Sequence, residues 1–227
     1  MSAVQFRGAP YLFIQNNLLK LSDILNKSVE LFQKILNILC MQIVNTIFDS
    51  VFLITPKVFY DNRGFFLESY QKEKLSQLGI HTEFVQDNHS LSKDVGTIRG
   101  MHFQSPPHAQ AKLIRVLAGT IENFIVDIRK NSPTYKQFDS VKLSSENKQF
   151  LYIPKGFANG FKTLTTNCEV LYKVDNYYSL ESDKTFLYND TEIGIEWDVE
   201  SPVLSEKDKK ALPFSEIKIP FIYGEEV

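Results

Sequence analysis

The chain has 227 residues, 43% of them apolar and 23% charged, with a formal net charge of −2 at pH 7. That composition is globular, and without a basic excess it argues against nucleic acid as a partner. Cys40 and Cys168 stand far apart in no metal-ligand spacing, no apolar run reaches the roughly 18 residues that span a membrane, and the N-terminus lacks a signal-peptide pattern, so the expectation is a reduced, cytoplasmic protein.

The first forty residues read differently from the rest. Leu18, Leu21, Ile24, Leu25, Val29, Phe32, Ile35, Leu36 and Leu39 recur at helical spacing and predict one amphipathic helix over 16–40. Two readings of that stripe stay open: a helix that docks on a membrane surface or a partner, and an extension that packs on the following domain or is foreign to it. Asp23 and Glu30 set against Lys20, Lys27 and Lys34 make no strong basic face. Met41 opens what looks like a fresh domain, so the predicted organisation is a helical extension over 1–40 and a single domain over 41–227.

Beyond that boundary strand signals dominate. The runs 51–54, 65–70, 112–116, 121–128, 138–143, 149–153, 161–164 and 169–174 are short and rich in β-branched or aromatic residues. Gly, Pro, Asn and Ser punctuate them at intervals of about 8 to 12 residues, a spacing that fits a sandwich or barrel rather than βαβ units. Only 71–78 reads as a further helix. Most of the 18 Phe, Phe65 among them, are expected in the core.

Within this pattern Gly96, His102, Lys112 and Gly119 hold the frame of a cupin-type metal motif, but the ligands are replaced. Gln104 stands where a second His is usual, Lys112 where a Glu is usual, and Asn159, after Pro154-Lys-Gly156, where the last His is usual. A lysine ammonium repels a divalent cation, and Asn is a poor ligand for zinc or iron, so no metal is expected. A lone barrel histidine is ordinarily a satisfied core residue. With Arg99 and Lys112 near it, His102 reads instead as a proton-transfer group facing an anion.

The chain resembles the dTDP-4-dehydrorhamnose 3,5-epimerases. The resemblance rests on Phe59-Tyr-Asp-Asn-Arg-Gly-Phe-Phe-Leu-Glu68, Phe84-Val-Gln-Asp-Asn-His-Ser90, Arg99-Gly-Met-His-Phe-Gln104, Ala109-Gln-Ala-Lys-Leu113, Val126-Asp-Ile-Arg129, Ile153-Pro-Lys-Gly-Phe-Ala158, Leu171-Tyr-Lys173, Gly194-Ile-Glu-Trp197 and Leu204-Ser-Glu-Lys-Asp208, in order from Met41 to Leu212. It implies a mainly β, cupin-type jelly-roll barrel, no cofactor, a homodimer, and inversion of C3 and C5 in a 4-keto-6-deoxy sugar carried on dTDP. It assigns His102 as the base, Asp208 as its orienter, Lys112 as the stabiliser of the enolate oxygen and Tyr172 as the acid. It places Arg63, Phe66, Glu68, Gln86, Asn88, Arg99 and Asn159 in substrate binding, with Tyr177 as a platform for the thymine. Arg129 matches too, although a structural salt bridge explains it equally well.

Two positions depart from that pattern. Asn159 stands where the family usually has His, and Asn123 where it usually has Asp. A charged pair is thereby replaced as a unit. Inversion of both centres, inversion of C3 alone, and a sugar-nucleotide binding module without catalysis are the readings that remain.

Overall fold

Two antiparallel sheets carry the fold in the computed structural model, which describes residues 41–46, 48 and 50–225. The helix expected over 16–40 lies outside the described residues. In chain order the elements are β1 (Gln42–Thr46), β2 (Phe52–Thr55), β3 (Val58–Asp61), β4 (Gly64–Leu67), α1 (Lys72–Gln77), β5 (Gln86–Ser92), β6 (Ile98–Gln104) and β7 (Lys112–Ala118). There follow β8 (Thr120–Asp127), β9 (Phe138–Ser144), β10 (Phe150–Ile153), β11 (Phe157–Thr163), β12 (Cys168–Val174), β13 (Asp183–Thr185) and α2 (Glu206–Lys209). One sheet runs β1-β2-β10-β7-β12-β5, the other β13-β6-β11-β8-β9, and β3 pairs only with β4. This is the cupin-type jelly roll that the sequence led us to expect.

Apolar side chains fill three layers. Ile114, Val116, Ile121, Ile125, Leu143, Leu151, Phe161 and Val170 pack in the interior. Ile98, Met101, Phe124, Phe186, Trp197, Phe214 and Phe221 form a second cluster with the C-terminal segment. Ile54, Leu75, Ile80, Leu113, Phe150 and Tyr152 form the third, which includes a residue of α1. Each fully buried side chain of this size contributes about 1.5–3 kcal/mol.

Several elements differ from the sequence expectation for identifiable reasons. The strand expected over 161–164 is the longer β11, buried along its whole length between β6 and β8. Ala158, Asn159 and Gly160 have low strand propensity, and burial on both sides overrides it. β5 is mostly polar and alternates between half-buried and exposed positions at the edge of its sheet, so no apolar run announces it. Phe65 is not in the core: it is 55% exposed. The β3–β4 hairpin pairs only with itself, so no second sheet covers it. Phe65 instead lies near Tyr60, with ring centroids 6.4 Å apart, and 4.7 Å from the Lys148 ammonium.

Arg129 is structural. It donates to Asp127 through its backbone amide (2.9 Å), Nε (2.9 Å) and a terminal nitrogen (2.8 Å), while Ser132 and Thr134 donate to the same carboxylate at 2.6 and 2.7 Å. Burial pushes that carboxyl up, but these hydrogen bonds outweigh it and hold the group below its ordinary value.

One backbone crossing sets the geometry that matters most. Along β6–β11, His102 faces Asn159 and Arg99 faces Phe161, so three steps on β6 match two on β11. The extra residue is a bulge, which turns Arg99 onto the face of His102 although the two are an odd number apart. The bulge contains Gly100 at φ 134°, where an added Cβ would come within 2.5 Å of the Gly160 Cα. Neither backbone can yield there without moving its sheet. Gly100→Ala is therefore expected to cost roughly 3 kcal/mol or more, read as a fall of the thermal midpoint; an unchanged midpoint would show that the crossing is not tight.

Candidate active site

Several elements converge on one cavity of about 290 Å³. β6 supplies Arg99, His102 and Gln104, β7 supplies Lys112 and Ile114, and β11 supplies Asn159 and Phe161. Val170 and Tyr172 come from β12, Asp183 from β13 and Lys207 from α2. All four ligand positions of the cupin frame, His102 and the replaced 104, 112 and 159, thus meet on this wall. Among the described residues no group of three His, Cys, Asp or Glu side chains is assembled that could hold a metal ion.

His102 is held from behind. Its Nε2 lies 2.6 Å from Asp208 Oδ1, which leaves Nδ1 for a ligand in the cavity. Asp208 is itself fixed by Ser205, the N-cap of α2, whose hydroxyl donates to Oδ2 at 2.8 Å and accepts from the Asp208 amide at 3.1 Å. Burial pushes the Asp208 carboxyl up, but hydrogen bonding to His102 and Ser205 and the nearby positive charge hold it below its ordinary value. A buried carboxylate in that state fixes the imidazole tautomer and favours the imidazolium that forms on proton uptake.

Lys112 presents the opposite situation. Part of its side chain is open to the cavity while its ammonium lies deep, and burial drives its pKa down to about 8, with Asp183 opposing the shift and Lys207 adding to it. Its one hydrogen bond, to the His102 carbonyl, is long at 3.4 Å, and it makes no ion pair among the described residues. A desolvated, unpaired ammonium is an oxyanion stabiliser in waiting. On the facing sheet the half-buried Tyr172 carries a phenol that is pushed up by burial, with Arg99 opposing and Asp183 adding to the effect.

Some residues at the site escaped the sequence reading. Lys207 pairs with Asp183 at 2.6 Å, and Tyr178 donates to the same carboxylate at 3.1 Å, which makes a polar rim. Lys207 adjoins Asp208 in the Ser-Glu-Lys-Asp segment, so that segment could have pointed to it; nothing local marks Asp183. Gln104 does not offer its amide to the cavity alone. It donates to the His108 and Tyr177 carbonyls at 2.6 and 3.2 Å and accepts from the Ser179 amide at 2.8 Å, so it pins the loop carrying Tyr178.

Six of the eight expected binding residues, Arg63, Phe66, Glu68, Gln86, Asn88 and Tyr177, are not among those lining this cavity. Arg63 and Phe66 are exposed on the β3–β4 hairpin, Arg63 paired with Asp61 at 2.6 Å, and Glu68 just beyond it pairs with Lys74. Gln86 and Asn88 bond each other at 2.9 Å on β5. Tyr177 is 65% exposed beside the rim, where Tyr178 takes the wall position. Arg99 does reach the cavity, steadied by Ser92 Oγ and the Leu91 carbonyl, both at 3.0 Å.

The family model described as dTDP-4-dehydrorhamnose 3,5-epimerase matches residues 45–216. The chain belongs to that family. The family's Salmonella typhimurium enzyme is 49% identical over 173 residues, which cover 75% of this chain and 94% of the relative; the one from Shigella flexneri is 46% identical over 169 residues, 74% and 93%. Among solved structures, the Bacillus anthracis epimerase with TDP and pyrophosphate bound superposes with a TM-score of 0.75 at 50% identity, covering 77% of this chain and 99% of the other. A Legionella pneumophila epimerase in complex with dTDP-4-keto-L-rhamnose gives 0.75 at 44% identity, covering 78% and 95%.

For an epimerase of this family the state of Lys112 has a kinetic consequence. An ammonium serving there as an oxyanion stabiliser would be lost as the pH rises through about 8, where burial puts the Lys112 pKa. The expectation is that kcat/KM falls about tenfold per pH unit above that value, since kcat/KM reports the free enzyme. Lys112→Met should remove the limb and lower kcat by about 10²–10³-fold. An alkaline limb that persists unchanged in the variant would assign it to another group.

Proposed function

We propose that His102, Asp208, Lys112 and Tyr172 carry out the reaction of this epimerase, inversion of C3 and C5 in dTDP-4-keto-6-deoxyglucose. The observation that carries the reading is that base and acid stand on opposite walls: His102 on the β6 sheet, Tyr172 on the β12 sheet, with Lys112 lining the same cavity. The C4 ketone acidifies the hydrogen on each neighbouring carbon. His102 Nδ1 takes that proton, and the C–H electron pair moves into the ring as the C4 oxygen becomes an enolate. The Lys112 ammonium holds that oxygen, and the enolate collapses by taking the Tyr172 phenolic proton on the other face. Solvent then reprotonates Tyr172 and deprotonates His102. Burial makes Tyr172 a weak acid, and the basicity of the enolate supplies the driving force.

The nucleotide needs more room than the cavity has. At about 290 Å³ the cavity sits at the small end of ligand pockets and holds a sugar, not the whole nucleotide sugar. Its lining cations Arg99, Lys112 and Lys207 face a single lining carboxylate, Asp183, a balance that suits the diphosphate at the mouth. Arg63 and Phe66 project from a hairpin with no cover of its own. We propose a cytoplasmic homodimer, in which Arg63, Phe66 and Glu68 of one copy meet the nucleotide at the other copy's cavity, where Gln86, Asn88 and Tyr177 lie near the rim. The catalytic domain in this reading begins at Met41, and residues 1–40 take no part in it.

In deuterated water the purified protein is expected to place deuterium at both C3 and C5 of the keto sugar nucleotide, and His102→Ala to abolish both exchanges. Label at C3 alone would select a single-centre epimerase; no label at either carbon with dTDP still bound would select a binding module.

The dimer arrangement has its own test. A variant with Arg63→Ala and Phe66→Ala and the variant His102→Ala should each be inactive. Mixed and allowed to exchange subunits, they should recover about a quarter of the sites, those whose arm and base both come from unaltered positions. No recovery despite proven exchange would place the arm in its own copy's site.

A further inference from the structure

Asn159 lies across the β6–β11 ladder from His102 and lines the same cavity. Its amide nitrogen donates to Asn123 Oδ1 at 2.7 Å and to the Phe124 carbonyl at 3.1 Å. A backbone carbonyl can only accept, so Phe124 dictates which end of the Asn159 amide turns inward. Both N–H groups are then committed, and Oδ1 is the one polar atom of this side chain left for a ligand. Asn123 is fully buried, gives its oxygen to Asn159 and keeps its Nδ2 without a partner. An orphaned buried donor is costly, and here it accompanies the orientation that aims an acceptor at the cavity.

We propose that Asn159 is a specificity-determining residue whose Oδ1 accepts a hydrogen bond from the C2 hydroxyl of the sugar, with Asn123 as its positioning residue. The proposal rests on the epimerase reading of this cavity. An acceptor cannot assist Lys112 at the C4 oxygen, because the ketone has no proton to give and the enolate is negative. A 4-keto-6-deoxyhexose joined to diphosphate through C1 has free hydroxyls only at C2 and C3. Epimerisation at C3 moves the C3 hydroxyl, whereas the C2 hydroxyl keeps its configuration throughout. A rigid acceptor on a wholly buried strand suits the group that stays in place.

The test compares the unmodified enzyme, Asn159→Leu and Asn123→Asp on dTDP-4-keto-6-deoxyglucose and on its 2-deoxy counterpart, with kcat and KM read separately. The unmodified enzyme is expected to prefer the 2-hydroxy substrate by about tenfold or more in kcat/KM, the worth of one neutral hydrogen bond. Asn159→Leu should erase that preference by lowering kcat/KM on the 2-hydroxy substrate alone. Asn123→Asp still accepts from Asn159, so it should keep the preference, and it serves if the leucine variant fails to fold. Equal use of both substrates by the unmodified enzyme, a preference surviving in Asn159→Leu, or one lost in Asn123→Asp overturns the proposal. Absence of any turnover of the parent substrate by the unmodified enzyme would instead overturn the epimerase reading, and this inference with it.

Discussion

The site is organised around the Lys112 ammonium, which lies deep in the barrel and makes no ion pair among the described residues. Lys112 donates one long hydrogen bond through its ammonium, and burial, which leaves that charge poorly solvated, lowers its pKa to about 8. Its folded pKa lies below the unfolded value, so between about 8 and 10.5 the unfolded chain holds a proton that the folded chain has lost. Stability contributed by this group therefore rises with pH across that window and is lowest below it, where the enzyme has its charged form. In the proposed mechanism the reaction brings a negative charge to this group, which gives a reason for it to persist. The same charge bears on the rest of the wall: an ammonium at position 112 repels a divalent ion from the cupin frame, and the proposed mechanism puts an enolate oxygen beside it instead.

Polarity is divided along the β6–β11 ladder. On β6, His102 leans on a carboxylate that is held ionised by Ser205 and by the imidazole itself. On β11, directly opposite, Asn159 leans on a neutral amide. A second titrating pair at that position would compete with Lys112 for whatever negative charge the substrate develops. The amide pair gives direction without charge, which is compatible with the proposal that His102 and Tyr172 move the protons.

Much of this was legible in the chain. The Gly96, His102, Lys112 and Gly119 frame pointed to the barrel, and its ligand positions at 102, 104, 112 and 159 do meet on one cavity wall. The contact of His102 with Asp208, 106 positions away, rested on family resemblance, because no local pattern links a strand residue to a one-turn helix so distant. What the chain hid follows from tertiary context. The bulge that brings Arg99 to the face of His102 breaks the period-two rule on which strand reading depends. Phe65 has the composition of a core residue, and only the isolation of its hairpin exposes it. The orientation of the Asn159 amide is set by a backbone carbonyl, which carries no sequence signal at all.

That isolated hairpin gives the proposed dimer its physical motive. Phe59, Tyr60, Phe65 and Phe66 are each about half exposed or more, on a two-stranded ribbon that joins neither sheet. A ribbon of this kind is marginal on its own, and contiguous exposed aromatics on a folded domain mark a surface that another molecule covers. The cavity, for its part, has about 290 Å³, too little for a whole nucleotide sugar. A base needs a stacking surface and a diphosphate needs a guanidinium, and the hairpin displays both within a few residues. In the proposed dimer a second copy would supply them, covering the ribbon and completing the pocket in one association step. The barrel can then stay narrow enough to keep water from the enolate while still taking a substrate larger than its interior.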